Sequence, residues 1–335
     1  MKKIKLYLGF LVSFLLVSNQ VDATHFMGGQ ITWVCDTNGD YIFTFKIYRD
    51  CSGTTTQPPN AGAYFIWNYP TGSSTALTID ASQNTSINIE PSCRVANPTF
   101  SCANRSAASV TEYTRVSNPI SLTGTPPAQG WIITFDGNAR NSNNNMLNGN
   151  VPNPYGMTLR AKIFNHSGWD ATQCIDNSPD FREDPTAILC DNLTYSYNHN
   201  ATDEEQDSLA YSWARPLDQF TGTYNEGVNP PYILYEPGFN FDDPYPGSST
   251  LDSVSGEIVA TLPTVSANEK YVAVVRVSAY KCGEKVAEVY RELQSVVRSC
   301  GSSPNNQPQL NAPFRDGMGN FTRFDTAVKA GVLIR

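Results

Sequence analysis

Tyr271, Ala273, Val275, Val277 and Ala279 face one way along nine residues, and a second apolar run, 286–297, follows a short turn at 281–284. Side chains of a strand alternate between two faces, whereas a helix repeats every 3.6 residues, so this period commits the segment to sheet. No stretch of the chain carries the helical period. With 23 Gly and 22 Pro as turn formers and only 16% charged residues, the sequence predicts an all-β protein built as β-sandwiches.

Near the start, Ile31, Trp33 and Cys35 share a face, Asn38-Gly39 marks a turn, and Tyr41, Phe43, Phe45 and Ile47 alternate with polar partners. This is the pattern of a hairpin. Further strands are expected at 63–67, 76–80, 86–89, 131–135 and 157–164, the last with Met157, Leu159, Ala161 and Ile163 inward. The Asn-rich segment 138–154 has little to bury and reads as irregular surface. Two sandwich domains in tandem follow: 24–165 and 178–300, joined by a linker at 166–177. After them, 301–335 reads as a linker and the incomplete start of another unit.

Lys2, Lys3 and Lys5 precede a 12-residue apolar run, 6–17, and Val21-Asp22-Ala23 offers a small-residue cleavage site. Residues 1–23 are therefore read as a secretory signal, too short to span a bilayer, and no later run suggests a transmembrane segment. Its removal takes away three Lys and one Asp, which leaves 20 Lys and Arg against 30 Asp and Glu, a net charge of −10. Nucleic acid is an unsuitable partner for such a chain.

All eight cysteines follow the signal, with no C-x-x-C, so disulfides are expected rather than zinc. Along a hairpin strand Cys51 lies too far from Cys35 to reach it. A sandwich with parallel first and last strands would pair Cys174 with Cys282 and Cys190 with Cys300, and Cys93 with Cys102 would close a local loop.

Segment 176–213 holds an acidic loop between two expected strands, one through Leu193, Tyr195 and Tyr197 and one through Leu209, Tyr211 and Trp213. Asp203, Glu205 and Asp207 place carboxylates at every second position, which suits a hard cation such as Ca²⁺. The sequences 177–181 (NSPDF), 197–199 (YNH) and 201–211 (ATDEEQDSLAY) resemble the cadherin-like and Ig-like repeats of very large bacterial surface proteins. With the openings HFMGGQITW (25–33) and KIYRDC (46–51), the chain resembles the N-terminal region of adhesin-type proteins of gliding bacteria exported by the type IX pathway. It departs from that pattern at Glu205-Gln206, where the repeats carry Asp-Gly. The resemblance implies Ig-like domains, a cell-surface location, and a calcium site in which Asp176 joins Asp203, Glu205 and Asp207.

No G-x-S-x-G, H-E-x-x-H, P-loop or three-glycine dinucleotide motif occurs, and His25, His166 and His199 are scattered as loop or hydrogen-bonding histidines. Trp33, Trp67, Trp131, Trp169 and Trp213 are read mainly as core, with Trp169 the candidate for an exposed sugar platform. The expected function is non-enzymatic: an adhesive or structural segment of a larger envelope or gliding-associated assembly, contacting a surface glycan, a protein ligand or other envelope proteins. The alternative is a carbohydrate-binding module of a secreted hydrolase whose catalytic domain is missing from this chain.

Overall fold

The structure, a computed structural model, describes residues 26–299 except 54–56, 90–101, 105–108, 139, 148–155 and 186–187, together with 314–315 and 321–323. The signal segment lies outside the described residues. The described part is all-β: its only helical elements are two short 3₁₀ turns, Ala81–Gln83 and Cys102–Asn104.

The first hairpin forms as its sequence dictates, with β1 (Phe26–Cys35) antiparallel to β2 (Tyr41–Asp50) and Cys35 opposite Tyr41. The chain continues through β3 (Tyr64–Trp67), β4 (Ser74–Ala76), β5 (Thr85–Asn88), β6 (Val110–Val116), β7 (Trp131–Gly137) and β8 (Met157–Ile163). Then come the short β9 (Asp180–Phe181) and β10 (Ile188–Cys190), β11 (Thr194–Asn198), β12 (Ala201–Thr202), β13 (Ser208–Trp213), β14 (Ser248–Leu251) and β15 (Glu257–Thr261). The longest strands close the unit, β16 (Lys270–Lys281) and β17 (Glu284–Arg298).

Strand β17 organises the whole. One edge pairs with β16 throughout, while the other meets β8 at Ala287–Val289, β1 at Arg291 and Glu292, and β10 in parallel at Val296–Arg298. Twelve strands thus belong to one curled sheet, in which β4-β3-β7-β8 and β1-β2-β6-β5 diverge from the same strand. Their inner faces meet, for example where the Phe45 ring approaches Tyr64 at 4.8 Å and Phe26 approaches Phe135 at 5.9 Å. A three-stranded sheet, β11-β15-β14, adds Ile258 and Ala260 to the same buried cluster as Val275 and Val277. Each large apolar side chain so enclosed contributes about 1.5–3 kcal/mol.

The expected division into tandem sandwiches at 166–177 is corrected by this pairing: residues up to Ser299 form one compact unit. The reason is that β17, at the end of the second expected domain, is buried on both faces and must be flanked on both edges, and the first domain supplies β1 and β8. Gly28 makes the joint possible, because its φ of +141° and its contact with the Glu292 backbone leave no room for a Cβ. The separate unit, 300–335, contributes one antiparallel pair, Phe314–Arg315 with Phe321–Arg323, and its stretch 301–313 lies outside the described residues.

Disulfides follow the same crossing. Cys174 is bonded to Cys35, not Cys282, and Cys102 to Cys51, not Cys93. The segment around Cys174 runs beside the β1–β2 turn, with Cys174 N donating to the Gly39 carbonyl at 2.7 Å, so the first strand lies nearer than the last. Cys282 is a free thiol in the exposed β16–β17 turn. Cys190 is disulfide-bonded and sits opposite Arg298 on the parallel strand; Cys300 and Cys93 lie outside the described residues.

The Asn-rich segment is also corrected. Arg140, Asn141, Asn143, Asn145 and Met146 are buried, and Asn145 donates to the Pro244 and Val272 carbonyls while accepting from Val272 N. Its amides take over the hydrogen bonding of a backbone strand at the end of β16. Arg140 forms a buried ion pair with Glu292 of β17.

Candidate functional site

The acidic residues singled out by spacing do gather. The turn after β12 brings Asp203, Glu205 and Asp207 towards Asp176, whose segment is stitched to β1: Trp33 Nε1 donates to the Asp176 carbonyl at 3.0 Å and Trp33 N to Ser178 Oγ at 2.9 Å. They gather around an ammonium, however. Lys281 Nζ lies 2.5 Å from Asp176 and 3.6 Å from Asp207. Burial, then the negative charges of Asp207, Glu205 and Asp176, push the Asp203 carboxyl up to about 6, and burial also raises Asp176 and Glu205. Oxygens of Asp203, Glu205 and Asp207 are buried without a hydrogen-bond partner, so the cluster is short of positive charge. Yet among the described residues no group of three or more acids, histidines or cysteines is set to hold a metal ion, and the lysine occupies the place expected for calcium. The arrangement does not fit a calcium site; it is an interior clamp between the 174–178 segment and the β16–β17 turn.

The aromatic candidates are mostly spent. Trp33 and Trp131 are core residues, and Trp169 is half-buried, edge-on to Trp131 at 5.4 Å with its Nε1 donating to Gly124 O. Trp67 packs with Phe220 and Tyr224. His199 is fully buried beside Tyr197 and Phe181, and neither ring nitrogen finds a partner.

What sequence reading missed lies on the back of the sheet. Register places Ile66, Ile133, Ala161, Val289, Val277 and Tyr211 in one cross-strand row, all buried on the core face. The adjacent row on the opposite face runs Trp67, Ile132, Lys162, Glu288, Ser278, Ala210, and Tyr290 sits opposite Arg276 one step along. This second face floors an open cleft of about 650 Å³ between the end of β7–β8 and the loop carrying Tyr224, Asn225 and Glu226.

Its charges form one network. Lys162 Nζ lies 2.8 Å from Glu226 and 3.8 Å from Glu288; Lys285 Nζ lies 2.7 Å from Glu288; Arg276 approaches the same carboxylate at 3.5 Å. Tyr290 Oη donates to Glu288 at 2.7 Å, and Arg160 stacks on the Tyr290 ring at 4.0 Å while reaching Glu226 at 3.3 Å. Burial opposes ionisation of both carboxylates. It is outweighed at Glu226 by Arg160 and Lys162, and at Glu288 by the bonds from Lys285 and Tyr290, so both are held below their ordinary values. Both carboxylates are thus committed to the cations around them. The arrangement can bind and orient polar groups.

A signal was present in the sequence. Polar Thr158, Arg160 and Lys162 alternate with the inward residues of β8, and Glu288 interrupts an otherwise apolar run in β17. Only the register shows that these interruptions face one another. No protein-family model matches the chain, and no curated protein or solved structure matches it.

Proposed function

We propose that this is a secreted, non-enzymatic surface protein, an adhesive or structural segment of a larger cell-envelope assembly, which makes its contacts through the cleft on the back of the sheet. The observation that carries the reading is the pairing of a rigid frame with a polar opening. Strand β17, paired along both edges, fixes the backbone beneath the cleft, while Lys162, Glu226 and Glu288 are held in place by one another. Rigid placement of polar groups lowers the entropic cost of binding. The apolar run after Lys5 and the disulfides support export, and the motif resemblance at 177–211 supports a place among envelope proteins.

The test is a retention assay. Beads coated with residues 24–335 are expected to adhere to isolated envelope material under flow, and beads coated with reduced, unfolded chain are not; equal retention of both would end the adhesive reading. Release of reducing ends from a panel of polysaccharides is expected to stay at background.

A further inference from the structure

We infer that the cleft is a site for an acidic oligosaccharide, one that carries carboxylates on its sugar rings. This rests on the proposal that the cleft is the contact surface and adds the chemistry of what it contacts. Three cationic side chains line the opening, Lys162, Arg276 and Lys285, against two carboxylates, Glu226 and Glu288, and a fourth cation, Arg160, lies beneath them. The local balance is positive in a chain whose net charge is −8, so the excess is a property of this spot and opposes the overall field.

The two outer cations are only partly used. Arg276 spends Nε on Ser212 Oγ at 3.0 Å and keeps a 36% exposed side chain, and Lys285 is 33% exposed at the rim, with its ammonium 5.5 Å from the Phe164 ring. A guanidinium edge and a neighbouring ammonium recognise a carboxylate through charge-assisted hydrogen bonds. The rest of the lining suits hydroxyl groups: the amides of Asn68, Gln129 and Asn225 surround the opening, and Phe164 gives one ring for a sugar face. A cleft of about 650 Å³ with so polar a lining does not suit a lipid or an aromatic ligand.

An acidic peptide is disfavoured by position. A peptide that binds as an added strand needs an open sheet edge, and this cleft lies across the face of β8, β17 and β16, whose paired backbones are committed to their ladders.

The experiment is calorimetric titration of residues 24–335 with tetragalacturonate, its methyl ester and tetraglutamate. The acid sugar is expected to bind, more weakly as NaCl is raised, and the ester and the peptide at least about tenfold more weakly. The variants R276Q and K285Q, singly and together, are expected to keep a native circular dichroism spectrum and to lose the acid sugar by at least about tenfold in the double variant. If the double variant unfolds, the single variants carry the comparison. Ester binding as tight as the acid would overturn the charge assignment and leave the cleft as a contact surface. Equal binding of tetraglutamate, undiminished binding by the variants, or no binding of the acid sugar would each overturn the inference, whereas the adhesive reading stands or falls on bead retention.

Discussion

Two clusters of mixed charge adjoin the β16–β17 turn, one through Lys281 and one through Lys285 and Glu288, and they solve different problems. Around Lys281, one ammonium pairs with Asp176 and Asp207 beside two further acids, and Asp176, Asp203 and Glu205 are raised above their ordinary values. Around Lys162, cations outnumber carboxylates, and Glu226 and Glu288 are lowered. In the first cluster burial outweighs the single ammonium, and in the second the cations and hydrogen bonds outweigh burial. A cluster starved of cations inside a loop clamps the chain to itself. One with surplus cations at an open face is ready for an anion from outside.

The contrast is broken most forcefully by removing one carboxylate from each. Glu288→Ala takes the carboxylate shared by Lys285 and the Tyr290 hydroxyl from the middle of the cations and is expected to lower the unfolding free energy by about 3–5 kcal/mol in a urea titration. Asp203→Asn, which relieves repulsion, is expected to leave stability at pH 7 unchanged or raised. Equal losses from the two would mean that the clusters do not differ. Next in size, Cys35→Ser with Cys174→Ser frees the segment that carries Asp176 and is expected to remove about 2–4 kcal/mol while leaving binding at the cleft intact.

Lys281→Gln takes the only ammonium from the acidic cluster. Its melting temperature is expected to fall by about 2–4 °C at pH 7 and by less at pH 5. The sign follows from the raised carboxyl: Asp203, near 6 when folded, contributes stability that is complete below the ordinary value of 3.8 and is lost as pH rises through about 6. His199 works in the opposite direction. Burial, aided by the charge of Arg291, lowers it well below 6.5, so its stability is complete above 6.5 and is lost as pH falls. His199→Phe is therefore expected to flatten the acid side of a melting-temperature profile and to uncover the rise due to the acidic cluster. Smallest of all, melting curves with calcium and with chelator are expected to coincide within about 1 °C, because Lys281 already supplies the cation. A larger calcium-dependent rise would restore a metal to the clamp.

Legibility divided along physical lines. The β1–β2 hairpin, β8 and the long pair β16–β17 were legible because each buries alternate apolar residues, and strand period is a local property. Strand β6 was missed: Glu112 and Arg115 are buried in it, so charges stand where local rules place solvent. The acidic residues were found by spacing, but the lysine that decides their meaning lies about 75 positions further on. The cleft was not legible at all, because Lys162, Glu226, Arg276 and Glu288 come from four separate segments.

By itself the sequence determined the class: strand period without helical period and turn residues between strands are statements about neighbours in the chain. Tertiary structure alone decided that one strand serves both halves, that Cys174 meets Cys35, and that two interrupted apolar faces combine into a charged opening. Those outcomes depend on register between strands far apart in sequence, where a slip of one residue would exchange the core face for the cleft face.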